Sequence, residues 1–304
     1  MRLLLTNASP GFKIAYLFIF MIIGLFITVA VSKLIFLIPF INSDSVLASI
    51  YVNTIAQSIF AIALPAFLIV AWTNIKPLNY LKLNRVTEPN IKVVFTLLAF
   101  IFSYTFASFL TTWNKGVVLP EWMSQIEEAM RTMEDAALET TELLLSGKSV
   151  SSLILNLVVI AGFAAISEEL FFRGAMQQFI HDKFKNGHTS VWIAAIIFSI
   201  VHFQFYGFLP RLFLGAILGY LFLYTKNLWI PILFHFINNA LIIVVNFFWG
   251  ETNWYNNMED MPITPVYIIL ALVSLAATIT LFVIYNKRAS KIKNYDTDSK
   301  YITI

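Results

Sequence analysis

The chain has only four histidines, and two of them, His202 and His235, fall inside apolar runs long enough to be buried in lipid. A third run ends in Ser167-Glu168-Glu169-Leu170-Phe171-Phe172-Arg173. Ionisable side chains at such places are costly, so they are functional suspects by default. Glu169 and Arg173 stand four apart, in the order that favours an ion pair on one helix face. Glu168 is rotated by about 100° from Glu169 and is free to face the bundle as a general base. His235 and Asn239, again four apart, put an imidazole and an amide on one face, suited to donating to a developing oxyanion. His202 lies one turn beyond Phe198, whose ring is expected to pack beside it. The blander reading is interhelical glue, worth about 1 kcal/mol per bond or less. That reading is adopted for Glu169, Arg173 and Asn238, as supports. Four polar groups on three spans are harder to dismiss, so Glu168, His202, His235 and Asn239 form the candidate catalytic set. Gly-x-Ser-x-Gly, the phosphate-binding glycine loops and His-Glu-x-x-His are all absent.

Composition defines the elements that must carry these groups. Of 304 residues, 59% are hydrophobic and 12% charged, with 29 Phe. A soluble domain holds roughly 25% charged residues, so an ordinary water-soluble globule is excluded. A net charge of +3 gives no field for nucleic acid, and the absence of Cys removes disulfides and thiolate ligands. The spacing predicts an all-α, polytopic membrane bundle of about eight spans, each of about 20 apolar residues. They are placed near 14–33, 54–72, 93–112, 151–171, 190–207, 209–225, 228–248 and 265–285. Gly215 and Gly219 form a small-xxx-small pattern that predicts close helix packing.

Basic residues orient the bundle. Most lie on one side, from Arg2 and Lys13 through Lys76, Lys82, Arg85 and Lys92 to the Lys287–Lys300 tail. Only Lys115, Arg131, Lys148 and Arg211 are assigned outside, whereas Asp44, Glu251, Glu259, Asp260 and the acids from Glu121 to Glu142 are outside too. Both termini are therefore expected in the cytoplasm. Between Glu121 and Leu145, Trp122, Ile126, Met130, Met133 and Ala137 recur at helical spacing, which predicts an amphipathic helix on the outer face, packed as a lid or lying on the bilayer. On these spans Glu168 and His235 fall in the cytoplasmic half and His202 beyond the midplane. Bringing them together requires a displaced fifth helix or a deep watered cavity.

The ordered set Glu168-Glu169-x-x-x-Arg173, Phe198-x-x-x-His202 and His235-x-x-x-Asn239 resembles the CPBP family of intramembrane proteases. That family, also called the CAAX-protease and bacteriocin-processing or Abi family, includes the type II CAAX prenyl endopeptidase and lysostaphin-resistance-protein-A-like proteins. No motif position is substituted. The resemblance divides the chain into 1–149 (N-terminal spans and outer helix), 150–249 (catalytic core) and 250–304 (last span and basic tail). It implies hydrolysis of peptide bonds in membrane-associated protein or peptide substrates at the cell membrane, with no nucleic-acid partner. It further implies that Glu168 and His202 activate water while His235 and Asn239 stabilise the oxyanion. Family members are often called metalloproteases, and Glu168, His202 and His235 are the candidate ligands for a zinc ion. A metal-free, glutamate-activated water uses the same residues. The competing class is a non-enzymatic membrane scaffold or immunity factor of the same fold. A transporter would be expected to show broken spans in repeated halves, which the sequence lacks.

Overall fold

The computed structural model describes residues 5–38, 45–73, 76–253 and 262–300, with side chains through Arg288. Arg2, Asp44, Glu259, Asp260 and the side chains of Lys291, Lys293 and Lys300 therefore lie outside the described residues. Within them all regular secondary structure is helical. Its main elements are α1 (Pro10–Ile35), α2 (Val46–Thr73), α3 (Pro89–Lys115), α4 (Ser124–Leu145), α5 (Val150–Phe184), α6 (Gly187–Ile200), α7 (Phe208–Thr225), α8 (Trp229–Trp249) and α9 (Pro265–Lys300). Seven of these are long and apolar enough to cross a membrane; the exceptions are α4 and α6. The molecule is a polytopic helical membrane bundle.

The expected fifth span is corrected. Instead of running through 190–207, α6 has 14 residues and rises about 21 Å, short of a hydrocarbon core about 30 Å thick. Asn186 caps its start by accepting a hydrogen bond from the Thr189 amide at 3.0 Å. At the far end the chain leaves the helix at Val201, and Phe203 takes a left-handed conformation with φ of 54°. Ser199 Oγ closes the turn by donating to the Phe208 carbonyl at 2.7 Å. The aromatic residues Phe203, Phe205 and Tyr206 prolonged the hydropathy, but they belong to this turn. α6 and α7 consequently form a short antiparallel hairpin. Its closeness rests on two glycines: a Cβ at Gly215 would sit 3.2 Å from the Phe198 ring, and one at Gly219 2.9 Å from Val191.

α5 errs the other way. Expected to end near 171, it continues to Phe184 because its polar residues find partners inside the bundle. Gln177 donates to the Gly219 carbonyl at 3.1 Å and Gln178 to the Tyr80 carbonyl at 2.7 Å. Phe171, Phe172, Met176 and Phe179 bury against Leu17 of α1 and Ile69 of α2, so α5 is the central post of the core. Lipid offers no hydrophobic drive to associate, so this packing depends on close apposition and interhelical hydrogen bonds.

The helix ends sort into two groups. At one end Leu5 N–H bonds the Trp72 carbonyl, Leu228 N–H the Lys82 carbonyl, and Tyr80 meets Asp182. At the other end Asn114 meets Phe205, and Lys148 pairs with Glu251 at 3.2 Å. α9 runs back along α3, with Tyr267 bonded to Ser108 and Tyr285 stacked on Phe95. Leu5 and Arg288 therefore lie at the same end, and the α6–α7 hairpin, which starts after Asp182 and ends before Leu228, enters and leaves at that end too. The charge asymmetry leads to the expectation that this end faces the cytoplasm. A reporter fused after Lys300 should then be cytoplasmic and one inserted at Gly116 external; both reporters on one side would overturn this threading.

α4 forms where the amphipathic pattern predicted, but it docks differently. Trp122, Ile126 and Met133 are exposed by 81%, 46% and 47%. The positions turned inward include Glu127 and Glu134. It is attached through these acids together with Met130, Ala137 and Leu144, part of the apolar stripe.

Candidate active site

Glu169 and Arg173 form the expected pair, Nη1 to Oε1 at 2.8 Å, with side chains 0% and 1% exposed. The pair does more than fix a helix end. Arg173 Nη2 donates to the Gly215 carbonyl at 2.9 Å, and the guanidinium lies 4.7 Å from the centre of the Phe198 ring. Glu169 Oε1 also meets His235 Nδ1 at 2.9 Å. One buried pair thus ties α5 to α6, α7 and α8. Charges this deep are tolerated only when hydrogen-bonded and paired. The bond from His235 to Glu169 is the feature that sequence spacing missed. Its signal was the doubled acid: two adjacent carboxylates cannot share a helix face, so each needs its own partner.

Glu168 occupies the other face of that turn. Its Oε2 lies 4.0 Å from His202 Nε2 and 3.9 Å from His235 Nε2. The Nδ1 atoms of both rings are engaged elsewhere, that of His202 at 2.7 Å from the Phe198 carbonyl and that of His235 with Glu169. A carbonyl can only accept, so His202 Nδ1 carries a proton and its Nε2 is turned to Glu168. Two imidazoles present Nε2 to one carboxylate oxygen. Separations near 4 Å exceed a direct hydrogen bond and suit groups bridged by a single water. The three side chains are 17%, 28% and 9% exposed, so the space they enclose is neither sealed nor open. The Phe198 ring packs 4.9 Å from His202 and 6.3 Å from His235, walling one side.

Asn239 lies one turn along α8 from His235. Its Nδ2 approaches the Ile160 carbonyl at 3.4 Å, and its Oδ1 accepts from Asn238 Nδ2 at 3.3 Å. Both bonds are long, and the amide is held near the site without direct contact to the triad. Ile160 lies in a widened π-helical stretch, Leu157–Phe163, and a second such stretch, Leu170–Gln177, starts directly after Glu169. Such bulges re-aim side chains and recur at functional sites. Arg211 lies at the start of α7, where Gln204 Oε1 accepts from its Nη2 at 2.7 Å, and the carboxylates of Glu134 and Glu168 act on it.

The nearby serines and the other two histidines have ordinary roles. Ser167 Oγ donates to the Phe163 carbonyl at 2.7 Å, an ordinary helical bond, and Ser199 closes the turn already described. His181 is exposed. His188 meets the Tyr220 hydroxyl at 3.0 Å.

Zinc does not fit this arrangement. Tetrahedral ligands about 2.1 Å from zinc lie about 3.4 Å from one another, closer than the separations seen here. No group of three or more His, Cys, Asp or Glu among the described residues could hold a metal ion.

A doubled acid and two histidines thus converge inside a multi-pass helical bundle. Residues 150–241 match the family described as type II CAAX prenyl endopeptidase Rce1-like, consistent with the CPBP resemblance; the segment holds every residue of the site. Over 90 residues the chain is 28% identical to the uncharacterized protein YpbD of Bacillus subtilis (strain 168), covering 28% of this chain and 43% of that protein. The chain thus spans less than half the length of that curated relative. No solved structure matches it.

Proposed function

We propose that this chain is an intramembrane endopeptidase that hydrolyses peptide bonds of membrane-associated protein or peptide substrates through a glutamate-activated water. The observation that carries this reading is the single oxygen, Glu168 Oε2, faced by Nε2 of both His202 and His235. A water held among the three gives a proton to the Glu168 carboxylate while its oxygen attacks the carbonyl carbon of the substrate. His202 orients that water from Nε2. The tetrahedral oxyanion is met by Asn239 Nδ2 and His235 Nε2. To donate from Nε2 while Nδ1–H is held by Glu169, His235 carries both protons, and Glu168 and Glu169 flank it on its two sides. Collapse of the intermediate breaks the C–N bond, and the proton held by Glu168 passes to the departing amine.

The experiment is a comparison of membrane proteomes from cells carrying wild type and Glu168→Ala. Substrates should accumulate uncleaved in the variant, with the wild type producing a matching pair of new termini. Identical proteomes at equal protein levels would favour the scaffold class.

A further inference from the structure

The turn that carries His202 is held from within the hairpin by Ser199 and Arg211, and also from outside it. Phe203, the next residue, is 68% exposed and has φ of 54°, a region that bulky non-glycine residues avoid. Conformations of this kind persist where the surroundings over-determine them. Two elements outside the α6–α7 hairpin do so here. From α3, the buried Asn114 side chain donates to the Phe205 carbonyl at 3.0 Å and accepts from Leu209 N–H at 2.8 Å. From α4, Glu134 Oε2 accepts from Tyr206 N–H at 3.3 Å, and Glu127 Oε1 accepts from the Tyr206 hydroxyl at 3.4 Å.

α4 is built for this contact. Its partly or fully buried positions include Glu127, Met130, Glu134, Ala137 and Leu144, an inward stripe with two carboxylates spaced seven apart. Arg131 joins the contact from the flank, 2.6 Å from Glu127 and 4.5 Å from the centre of the Tyr206 ring. Glu127 Oε2 accepts in addition from Leu119 N–H at 2.9 Å, which anchors the approach to the helix. Bonding to Arg131, helped by the Leu119 amide, holds the Glu127 carboxyl below the usual carboxylate range, so it stays charged at ordinary pH.

We infer that α4 is a clamp on the catalytic turn, with Glu127 and Glu134 as positioning residues that set His202 against Glu168 through Tyr206. Lifting α4 uncovers the turn and releases His202 together. The inference rests on the reading of His202 as a participant in hydrolysis.

The test uses the full chain in lipid nanodiscs, reading hydrogen exchange at 201–209 alongside cleavage of a substrate found by the proteome comparison. Glu127→Ala with Glu134→Ala should speed exchange at 201–209 by about ten-fold or more, since each lost bond is worth about that factor. Protection in α3 and α5 should be unchanged. kcat should fall on the order of 10²-fold, the cost of a misplaced reacting group, with KM little changed. Glu127→Gln with Glu134→Gln keeps acceptor oxygens for Tyr206 and should restore most protection and turnover. Tyr206→Phe removes the hydroxyl bond alone and should move exchange in the same direction by less, a check that survives if the double alanine variant does not fold. Unchanged exchange at 201–209 would overturn the clamp, as would wild-type kcat in a variant whose turn exchanges freely. Faster exchange with no cleavage by any protein, wild type included, would uphold the clamp and remove the hydrolytic reading.

Discussion

Glu168→Gln protein should fold, insert and reach wild-type levels, yet cleave nothing measurable. Glutamine nearly keeps the shape of glutamate but cannot take a proton from water. Glu168 accepts no short hydrogen bond from His202 or His235, the nearest Nε2 atoms being 3.9 and 4.0 Å away. No strong native bond to them is therefore lost, and stability should stay within the range of a mild substitution. Loss of a general base typically costs about 10²–10⁴-fold in rate. Asn239→Ala should be graded differently. It removes one of two oxyanion donors, a change of about 10²–10³-fold, and leaves slow turnover because His235 still donates. The readout is single-turnover cleavage in nanodiscs beside a thermal melt of each protein. Full activity in folded Glu168→Gln would dismiss the general-base assignment, while equal and complete loss in both variants would dismiss the division of labour between them.

How far the sequence could be read follows from the range of each interaction. Glu169 with Arg173, and Phe198 beside His202, are contacts within one turn of helix, so i,i+4 spacing was enough to place them. Gly215 and Gly219 announced close packing because only a missing side chain permits it. The bond from His235 to Glu169 joins residues 66 apart, and no local spacing encodes it. The end of α6 was hidden for another reason. Phe203, Phe205 and Tyr206 are as apolar as a span, so hydropathy ran on through a turn that Phe203 makes with a left-handed backbone. The supposed discrepancy in depth between His202 and Glu168 disappears with the longer α5, because Glu168 lies 16 residues (184 − 168), about 24 Å, from its Phe184 end and His202 15 residues (202 − 187) from the start of α6. α4 shows the reverse error. Its apolar periodicity was real, and Met130, Ala137 and Leu144 do turn inward, but Glu127 and Glu134 share that face because the Tyr206 amide and hydroxyl need acceptors.

Arg173→Ala should be far more damaging to stability than any change at Glu168, although Arg173 touches no reacting atom in the proposed mechanism. Removing it strands a Glu169 carboxylate that is 0% exposed, and breaking a buried pair from one side costs about 3–5 kcal/mol. The Gly215 carbonyl loses its donor in the same step, and the Phe198 ring its cation. Glu169→Gln should be milder, because its amide oxygen can still accept from Arg173 or His235, though not with the strength of a carboxylate. Replacing both partners, as Glu169→Leu with Arg173→Met, removes the stranded charge, and such apolar replacements of buried pairs are often neutral or stabilising. The double variant should therefore melt well above Arg173→Ala. Its activity should nevertheless stay lost, because His235 Nδ1 then has no carboxylate to fix the ring and hold its proton. Recovery of the melting temperature without recovery of cleavage separates the two duties of Glu169, neutralising Arg173 and orienting His235. If the double variant regained cleavage along with stability, Glu169 would be a packing residue only, and His235 would have to be oriented by something other than the bond that now holds it.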